Sequence, residues 1–311
     1  MAGAQRVYKA RIKSTQALKK VFRAQELIAA SRIGKARAAT SAAQPYARAL
    51  THAVSAVATH GGRINHPLIS GRKGVDRAAV LVVTADRGMA GAYSANVIRE
   101  AEAHIRDLRT QGKEVDLYVS GRRGEGYYQY RAQTVARSWT GGSDAPQLDV
   151  ADEIGRTLLE AFAAEADQGG VSELYVVYTE FVNMVTQRPR IVRLLPLEIV
   201  EADATPAAAG SAHAGPDGSD VTVHPLYEFE PSAEGVLDAL LPRYVRSRIY
   251  SMLLQAAASE LASRQRAMHT ATENAEELIR TYSRLANQAR QGEITQEISE
   301  IVSGADALKA S

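Results

Sequence analysis

The 311-residue sequence contains no cysteine, and this absence excludes disulfide bonds, thiolate metal ligands and cysteine nucleophiles. Its seven histidines are scattered without an HExxH pattern, so we expect no metal site and no bound cofactor. No run of eighteen apolar residues occurs, and we therefore expect no membrane-spanning segment. The opening stretch MAGAQRVYKAR lacks the apolar core of a signal peptide, which predicts a protein of the cytoplasm.

Proline and glycine are scarce towards both ends of the chain. From Gln5 to Gln44 the only residue of either type is Gly34, and between Pro242 and Gly292 there is none. Apolar residues recur there at steps of three and four, which predicts long helices with one apolar stripe each. We place these helices at residues 1–58 and 232–303, with a tail at 304–311. Since neither helix can bury its stripe alone, we predict an antiparallel coiled coil between them.

Two prolines fall within these predicted helices. Pro45 should end the first helical stretch, with helix resuming from Tyr46 to Ala58. Pro242 lacks the backbone N–H that a helix interior needs, so it should kink the second helix or start a new one. Ser232 is a good N-cap, and it predicts that the second helix begins there.

Acidic residues are nearly absent from the first segment. Residues 1–57 carry eleven Lys or Arg and one acid, Glu26, for a net charge of +10. Residues 58–231 carry seventeen basic and twenty-four acidic residues, for a net charge of −7. A block of one sign usually marks a surface that binds a partner, and nucleic acid, anionic lipid and an acidic protein are all candidates. A merely solvated face is the alternative.

The pattern between the two ends is that of an α/β domain, which we place at residues 75–231. Short apolar runs such as Ala78–Thr84 are typical of strands buried on both faces, and they alternate with helical segments. This alternation predicts a Rossmann-like domain with a mainly parallel sheet and an antiparallel edge. The predicted strands are 78–84, 115–119, 173–179, 191–197 and 224–229, and the predicted helices are 94–109, 124–130 and 148–163.

Two glycine-containing loops follow predicted strands and invite comparison with nucleotide-binding motifs. The first contains Asp86, Arg87, Gly88 and Gly91, and the second spans residues 121–126. Either loop could present backbone N–H groups to an anion. Neither matches GxGxxG or GxxxxGK[ST], and no lysine follows to hold a phosphate. We therefore interpret both as tight turns between strand and helix, and we expect no catalytic centre.

Several stretches in collinear order resemble the gamma subunit of bacterial F-type ATP synthases. The most specific is the C-terminal run QGEITQEISEIVSGADAL, and the run RQRAMHTATENAEE before it agrees with the same family. The N-terminal run MAGAQRVYKARIKS and the middle run TADRGMAGAY are also similar to that family. The resemblance therefore covers nearly the whole chain.

The resemblance implies the central rotor shaft of the synthase. Such a shaft couples proton-driven rotation of the membrane c-ring to conformational changes of the catalytic ring, for ATP synthesis and also for hydrolysis. The implied partners are the alpha and beta subunits of that ring, the epsilon subunit and the c-ring, with no nucleic acid. In this family the ATP-binding groups belong to alpha and beta, so a non-catalytic subunit is expected. It would be a peripheral protein on the cytoplasmic face of the bacterial plasma membrane.

The resemblance also implies residues that contact the beta subunit. The family's polar contacts near the upper part of the shaft map onto Arg290, Gln291, Thr295 and Glu297. Sliding contacts with acidic loops of beta are expected from the basic face, which consists of Lys9, Arg11, Lys13, Lys19, Lys20 and Arg23. Exposed ion pairs contribute only about 0–1 kcal/mol each, which suits a bearing surface better than a lock.

The chain departs from the family pattern at residues 21–25, where the family commonly has Ile-Thr-x-Ala-Met. The segment 201–220 is rich in Ala, Gly, Pro and Asp and predicts a flexible loop, as does 167–170. We hypothesise that one of these loops adjusts coupling or blocks ATP hydrolysis. Two other classes stay open: an enzyme that binds nucleotide unaided, and a nucleic-acid binder whose affinity falls steeply with salt. The basic segment 1–57 has only Tyr8, Phe22 and Tyr46 for base stacking, which disfavours the second class.

Overall fold

The computed structural model describes residues 2–60, 74–197, 229–230 and 232–309. These residues group into two compact units. The paired-helix unit takes its residues from 1–34, 89–91 and 261–311, and the sheet unit takes its residues from 35–88 and 92–260. The two long terminal helices, α1 (Ala2–His60) and α5 (Ala233–Lys309), contribute residues to both units.

The sheet unit is built on a sheet of five strands. These strands are β1 (Arg77–Val83), β2 (Glu114–Ser120), β3 (Arg137–Trp139), β4 (Glu173–Phe181) and β5 (Gln187–Leu195). Their order across the sheet is β3-β2-β1-β4-β5. β1 pairs in parallel with β2 and β4, and β2 pairs in parallel with β3, whereas β4 and β5 are antiparallel. The prediction of a mainly parallel sheet with an antiparallel edge is confirmed.

The sheet is covered by helices on both faces. The connecting helices are α2 (Tyr93–Thr110), α3 (Arg122–Tyr130) and α4 (Leu148–Ala163). One face packs against α4 and α5 through residues such as Ile154 and Ile249, and the other packs against α2 and α3 through Ile105 and Tyr128. Because a strand alternates its side chains, a strand covered on both faces must be apolar throughout. This requirement accounts for the apolar run of β1.

α1 and α5 run antiparallel in the paired-helix unit. Contacts that move up one helix move down the other: Tyr8 stacks with Tyr282, Lys19 pairs with Glu276, and Glu26 contacts His269. The buried positions include the small residues Ala29, Ala275 and Ala286. Small buried residues in place of a regular leucine heptad make the coil irregular.

The same antiparallel pairing occurs within the sheet unit. Val54 and Val57 of α1 form a buried cluster with Leu237 and Leu241 of α5. The start of α5 is fixed by Ser232, whose Oγ accepts a hydrogen bond from the Gly235 N–H at 3.1 Å. The predicted N-cap is therefore confirmed.

The prediction that Pro45 ends the first helix is wrong, and so is the prediction that Pro242 starts a new one. α1 runs through Pro45 and α5 runs through Pro242. A proline inside a helix leaves one carbonyl without its backbone donor and costs about 3 kcal/mol. Beside Pro242 this cost is offset by the burial of Leu241 and Val245, which are both fully covered. Pro45 is exposed, so water can bond the carbonyl that it leaves free.

Three further segments differ from the sequence-based expectation. The pattern does not predict β3, because three residues are too few to show an alternation. α5 continues to Lys309 rather than ending at 303, since a single Gly304 costs a helix only about 1 kcal/mol. Residues 166–168 form a 3-10 turn and the Gly170 N–H donates to the Glu165 carbonyl at 2.9 Å. The predicted flexible loop at 167–170 is thus part of a hydrogen-bonded turn.

The predicted loop at 201–220 lies outside the described residues. The predicted strand at 224–229 also lies outside them, except for Phe229, which is not in a strand.

Replacing Pro242 with alanine should raise the free energy of unfolding by about 1–3 kcal/mol, because it restores a donor where the helix already continues. Urea unfolding of the Pro242→Ala chain measures this change. Pro45→Ala is the matched control, since it loses no buried contact and sets the upper limit of the gain. A loss of stability in Pro242→Ala would mean that the contacts of the half-buried proline ring contribute more than the restored backbone hydrogen bond.

Candidate functional site

The Asp86 carboxylate lies at the carboxyl end of β1 and joins three segments of the chain. Its Oδ1 accepts the Arg122 N–H at 3.1 Å, and its Oδ2 accepts the Gly141 and Ser143 N–H groups at 2.9 Å each. In return, the Asp86 N–H donates to Ser143 Oγ at 2.8 Å. Burial by itself raises the pKa of Asp86, but these hydrogen bonds outweigh burial and hold the pKa below its ordinary value. Asp86 is therefore an ionised tie between β1, α3 and the loop after β3.

The first turn of α3 has its backbone donors occupied by this chain. The Arg123 N–H donates to the Ala85 carbonyl at 3.0 Å, and the Gly124 N–H donates to Thr84 Oγ1 at 2.9 Å. The Thr84 hydroxyl is fully buried and donates to the Ser120 carbonyl at 3.0 Å. Together with the Arg122–Asp86 bond, these contacts use the N–H groups that a phosphate would need at a helix N-terminus. Residues 122–126 belong to α3, so of the loop predicted at 121–126 only Gly121 lies between β2 and the helix, where it forms a tight turn.

Close backbone packing explains the glycines of this turn. A Cβ added at Gly121 would lie 2.2 Å from the Thr84 carbonyl oxygen, and Gly121 has a φ of +103°. A Cβ at Gly124 would lie 2.8 Å from Val119 Cγ1. These glycines let α3 approach the end of β1, which is a packing role rather than a phosphate-binding role.

The other residues of the first glycine loop, Arg87, Gly88 and Gly91, differ in their contacts and exposure. A Cβ added at Gly88 would lie 2.8 Å from Arg123 Nη2, so the guanidinium covers the loop there. Arg87 is exposed. Gly91 has a φ of +57°, and its α-carbon faces the Ala267 side chain of α5 in the paired-helix unit. The four residues of the predicted motif are thus not gathered around one point.

A cavity of about 310 Å³ lies beside the Asp86 tie, lined by residues that include Tyr93, Trp139 and Leu253. The Tyr93 hydroxyl donates to the Ala256 carbonyl at 3.2 Å, so it is already bonded. Among the described residues that line the cavity there is no histidine, lysine or arginine. The cavity has the volume of a small-molecule site, and the titratable side chains that line it are Asp86, Tyr93 and Asp144.

Three of the six basic residues predicted for α1 bind partners within the paired-helix unit. Lys19 Nζ lies 2.8 Å from Glu276 Oε1. Arg23 Nη1 donates to Glu26 Oε2 at 2.9 Å. The Arg11 guanidinium lies 5.6 Å from the centre of the Tyr282 ring. These three side chains contribute to the coil itself.

The other three, Lys9, Lys13 and Lys20, are exposed. At 100° per residue they lie within about 40° of one another around the axis of α1. In the paired-helix unit, α1 contacts α5 through Tyr8, Arg11, Lys19 and Glu26, which lie about 80–180° away from the three lysines. These three lysines therefore form an outward stripe, and they are the part of the predicted basic face that is available to a partner.

The predicted contact residues near the end of α5 are all exposed: Arg290, Gln291, Thr295 and Glu297. The Thr295 hydroxyl donates to the Gln291 carbonyl of its own helix at 2.9 Å. These residues are interleaved with an apolar stripe that the sequence analysis did not single out, made of Ile294, Ile298 and Ile301, which are 45%, 56% and 71% exposed. Their four- and three-residue spacing was the available signal, since it places them on one helix face. Contiguous exposed apolar side chains mark an interaction surface.

Within the described residues, no group of three or more His, Asp or Glu side chains could hold a metal ion. None of the helices in that part of the chain is long and apolar enough to cross a membrane.

The protein belongs to the class that combines an α/β sheet unit with an antiparallel pair of long terminal helices. Comparison with known proteins identifies its family. A family model described as ATP synthase matches residues 4–308. The ATP synthase gamma chain of Beutenbergia cavernae is 64% identical over 311 residues, which is 100% of both chains. That of Arthrobacter sp. is 55% identical over 310 residues, covering 99% of this chain and 100% of the relative. The chain belongs to the ATP synthase gamma chain family, as the resemblance predicts.

Solved structures of mitochondrial ATP synthases contain chains with a similar fold. A chain of the Euglena gracilis enzyme, in an assembly of OSCP, F1 and c-ring, has a TM-score of 0.63 at 15% identity, with 100% of this chain and 96% of that chain covered. A chain of the Tetrahymena thermophila central stalk and c-ring has a TM-score of 0.55 at 17% identity, with 81% and 99% covered. At these identities the likeness concerns the fold alone. It confirms the predicted α/β domain between two long terminal helices.

Gly121→Ala should lower the free energy of unfolding by more than about 3 kcal/mol, because the added Cβ meets the Thr84 backbone and the residue keeps a positive φ. Gly126→Ala is the matched control: Gly126 lies within α3, which Gly121 precedes, and has open space around it, so this change should stabilise by up to about 1 kcal/mol. Urea unfolding compares the two chains. Equal effects of the two substitutions would contradict the packing role of Gly121.

Asp86→Asn should lower the free energy of unfolding at neutral pH by about 1–2 kcal/mol, because an amide replaces a charged acceptor of three N–H groups. The folded-state pKa of Asp86 lies below its unfolded value, so its stabilising contribution is present above about pH 4 and is lost as pH falls through the folded pKa.

Urea unfolding at several pH values tests this pH dependence. The difference in the free energy of unfolding between the wild type and Asp86→Asn should become smaller below about pH 4. Glu100→Gln, an exposed carboxylate on α2, is the control and should show no such pattern. A difference that stays constant at low pH would mean that the charge of Asp86 contributes nothing.

Proposed function

We propose that this gamma chain is the central rotor shaft of an F-type ATP synthase. It couples proton-driven rotation of the membrane c-ring to conformational changes of the catalytic alpha and beta subunits, for ATP synthesis and, in reverse, for hydrolysis. The observation that carries the proposal is the antiparallel pair of α1 and α5. Its exposed surface carries apolar and basic side chains that could bind other subunits. A shaft needs paired helices for stiffness and outward groups for contact with a ring around it.

The end of α5 is the proposed contact with the alpha and beta subunits. There the isoleucine stripe at 294, 298 and 301 would meet an apolar surface of the ring. The polar residues Arg290, Gln291, Thr295 and Glu297, which alternate with that stripe, would bond to beta at its rim. An apolar strip with a polar border has the composition of a protein interface rather than of a solvated face.

The outward lysine stripe, Lys9, Lys13 and Lys20, is the proposed sliding contact with acidic loops of beta. Exposed charges without a fixed partner attract at a distance and release easily, with each pair contributing about 0–1 kcal/mol. Arg11, Lys19 and Arg23 bind within the coil. They would therefore act by holding α1 against α5.

The sheet unit is the proposed contact with the epsilon subunit and the c-ring. We divide the chain into the first helix at 1–58, the α/β domain at 75–231 and the second helix from 232, which continues past the predicted boundary at 303 to Lys309. The subunit would be peripheral, on the cytoplasmic face of the bacterial plasma membrane, and would bind no nucleic acid. It would be non-catalytic, and the occupied N–H groups of the α3 turn support this. Loop 201–220 stays a candidate regulator of hydrolysis.

Purification of the tagged chain from gently solubilised membranes of its own host tests the proposal. We expect a large complex that contains two nucleotide-binding subunits and has Mg-ATPase activity. A lone monomer or homodimer would contradict the rotor function. A nucleotide that bound to the isolated chain would revive the enzyme alternative.

Ile298→Asp should lower the recovery of alpha and beta with the tagged chain at least about tenfold, because a carboxylate in an apolar contact is costly to desolvate. Leu148→Asp on α4 is the matched control, since Leu148 and Ile298 are both 56% exposed. It should leave the recovery unchanged. Quantification of the co-purified subunits against the tag measures the effect, and equal losses in both variants would refute a specific contact at the end of α5.

A further inference from the structure

A histidine links the two helices of the paired-helix unit. His269 of α5 has its Nδ1 3.1 Å from Oε1 of Glu26, which belongs to α1. Its other ring nitrogen, Nε2, lies 3.4 Å from Oε1 of Glu273, one turn further along α5. The Glu26 side chain is only 11% exposed, whereas those of His269 and Glu273 are 55% and 65% exposed. The imidazole therefore stands between a buried carboxylate and a solvent-accessible one.

Only the protonated ring can donate to both carboxylates at once. A neutral imidazole carries one N–H, so one of its nitrogens presents a lone pair to a carboxylate oxygen. If the neutral ring keeps its proton on Nδ1, it retains a hydrogen bond from a neutral donor to the Glu26 carboxylate, and its Nε2 lone pair repels Glu273. The imidazolium replaces this arrangement with attraction to both carboxylates, and its contact with Glu26, which joins the two helices, becomes a bond between opposite charges. Histidine gains its second proton in the range just below neutral pH.

We propose that His269 is a proton-dependent clamp between α1 and α5, which tightens the coil at the level of Glu26 when the surrounding pH falls. In the neutral state the two helices open more readily at this level, so the stiffness of the coil follows the pH of the compartment. This inference concerns the pairing of the helices, and it holds whatever surfaces the coil contacts.

Charged side chains of both helices surround His269 and influence its protonation. Arg23 of α1 holds Glu26 Oε2 at 2.9 Å, which leaves Oε1 for the imidazole. Arg266 lies one turn before His269 on α5 and opposes its protonation, while Glu273 favours it. On the next turn of the coil, Lys19 of α1 and Glu276 of α5 form a second contact between the helices, with 2.8 Å between Nζ and Oε1.

Amide hydrogen exchange of the assembled complex tests the clamp, at about pH 6 and about pH 8 and with the chemical effect of pH removed. In the wild type, protection of residues 262–276 should rise about two- to fivefold at the lower pH. His269→Gln should show low protection at both pH values, and His269→Lys, a permanent cation, should show high protection at both. His52→Gln, an exposed histidine of α1 in the sheet unit, should behave as the wild type.

The four chains together decide the proposal. Recovery of the complex and its ATPase activity confirm that each variant assembles before exchange is measured. If protection in His269→Gln still rises at the lower pH, the clamp is overturned, because a group other than His269 would then cause the rise. A rise in protection at the lower pH in His269→Lys would overturn the clamp as well. Glu26→Gln provides a second test, since removal of the buried charge should abolish the step while keeping the size of the side chain.

Discussion

The packing of α5 against the sheet is the interaction on which the rest of the structure depends. Val245, Ile249 and Met252 of α5 are buried in one cluster with β1 and β4. α5 is the last element of the chain, so this face of the sheet is complete only when the C-terminal helix is in place. The Ser259 hydroxyl donates to the Thr179 carbonyl at 3.1 Å and fixes the position of the helix along the strand. The part of α5 that belongs to the sheet unit, residues 233–260, is thus anchored in the core of that unit.

At the carboxyl edge of the sheet, internal hydrogen bonds occupy the backbone donors of the α3 turn. In open α/β sheets this edge is where ligands usually bind. Here Thr84 and Asp86 occupy the donors of the α3 turn, and Gly121 and Gly124 bring the helix too close for a phosphate to enter. The same backbone geometry that could hold an anion therefore holds the domain together.

The sequence pattern predicted the elements whose cause is local and missed those whose cause is tertiary. The run 78–84 and the helix 148–163 were predictable from periodicity, and α4 has the predicted bounds. The continuity of α5 through Pro242 was not, since it depends on the burial of Leu241 and Val245. The bonds of Asp86 join segments 36 to 57 residues apart, so no local pattern could reveal them. The sequence also could not show which of the six basic residues bind within the coil and which face outward, because this depends on contacts with the partner helix.

Trp139 is the single tryptophan of the sequence, and it lies at the end of β3, 8% exposed and stacked with Tyr118. Its position gives the protein an intrinsic optical probe of one region only. Tryptophan emission would follow the edge of the sheet, whereas far-ultraviolet circular dichroism would be dominated by the two long helices. Loss of the two signals at different temperatures would therefore separate melting of the sheet from unwinding of the coil, without any added label.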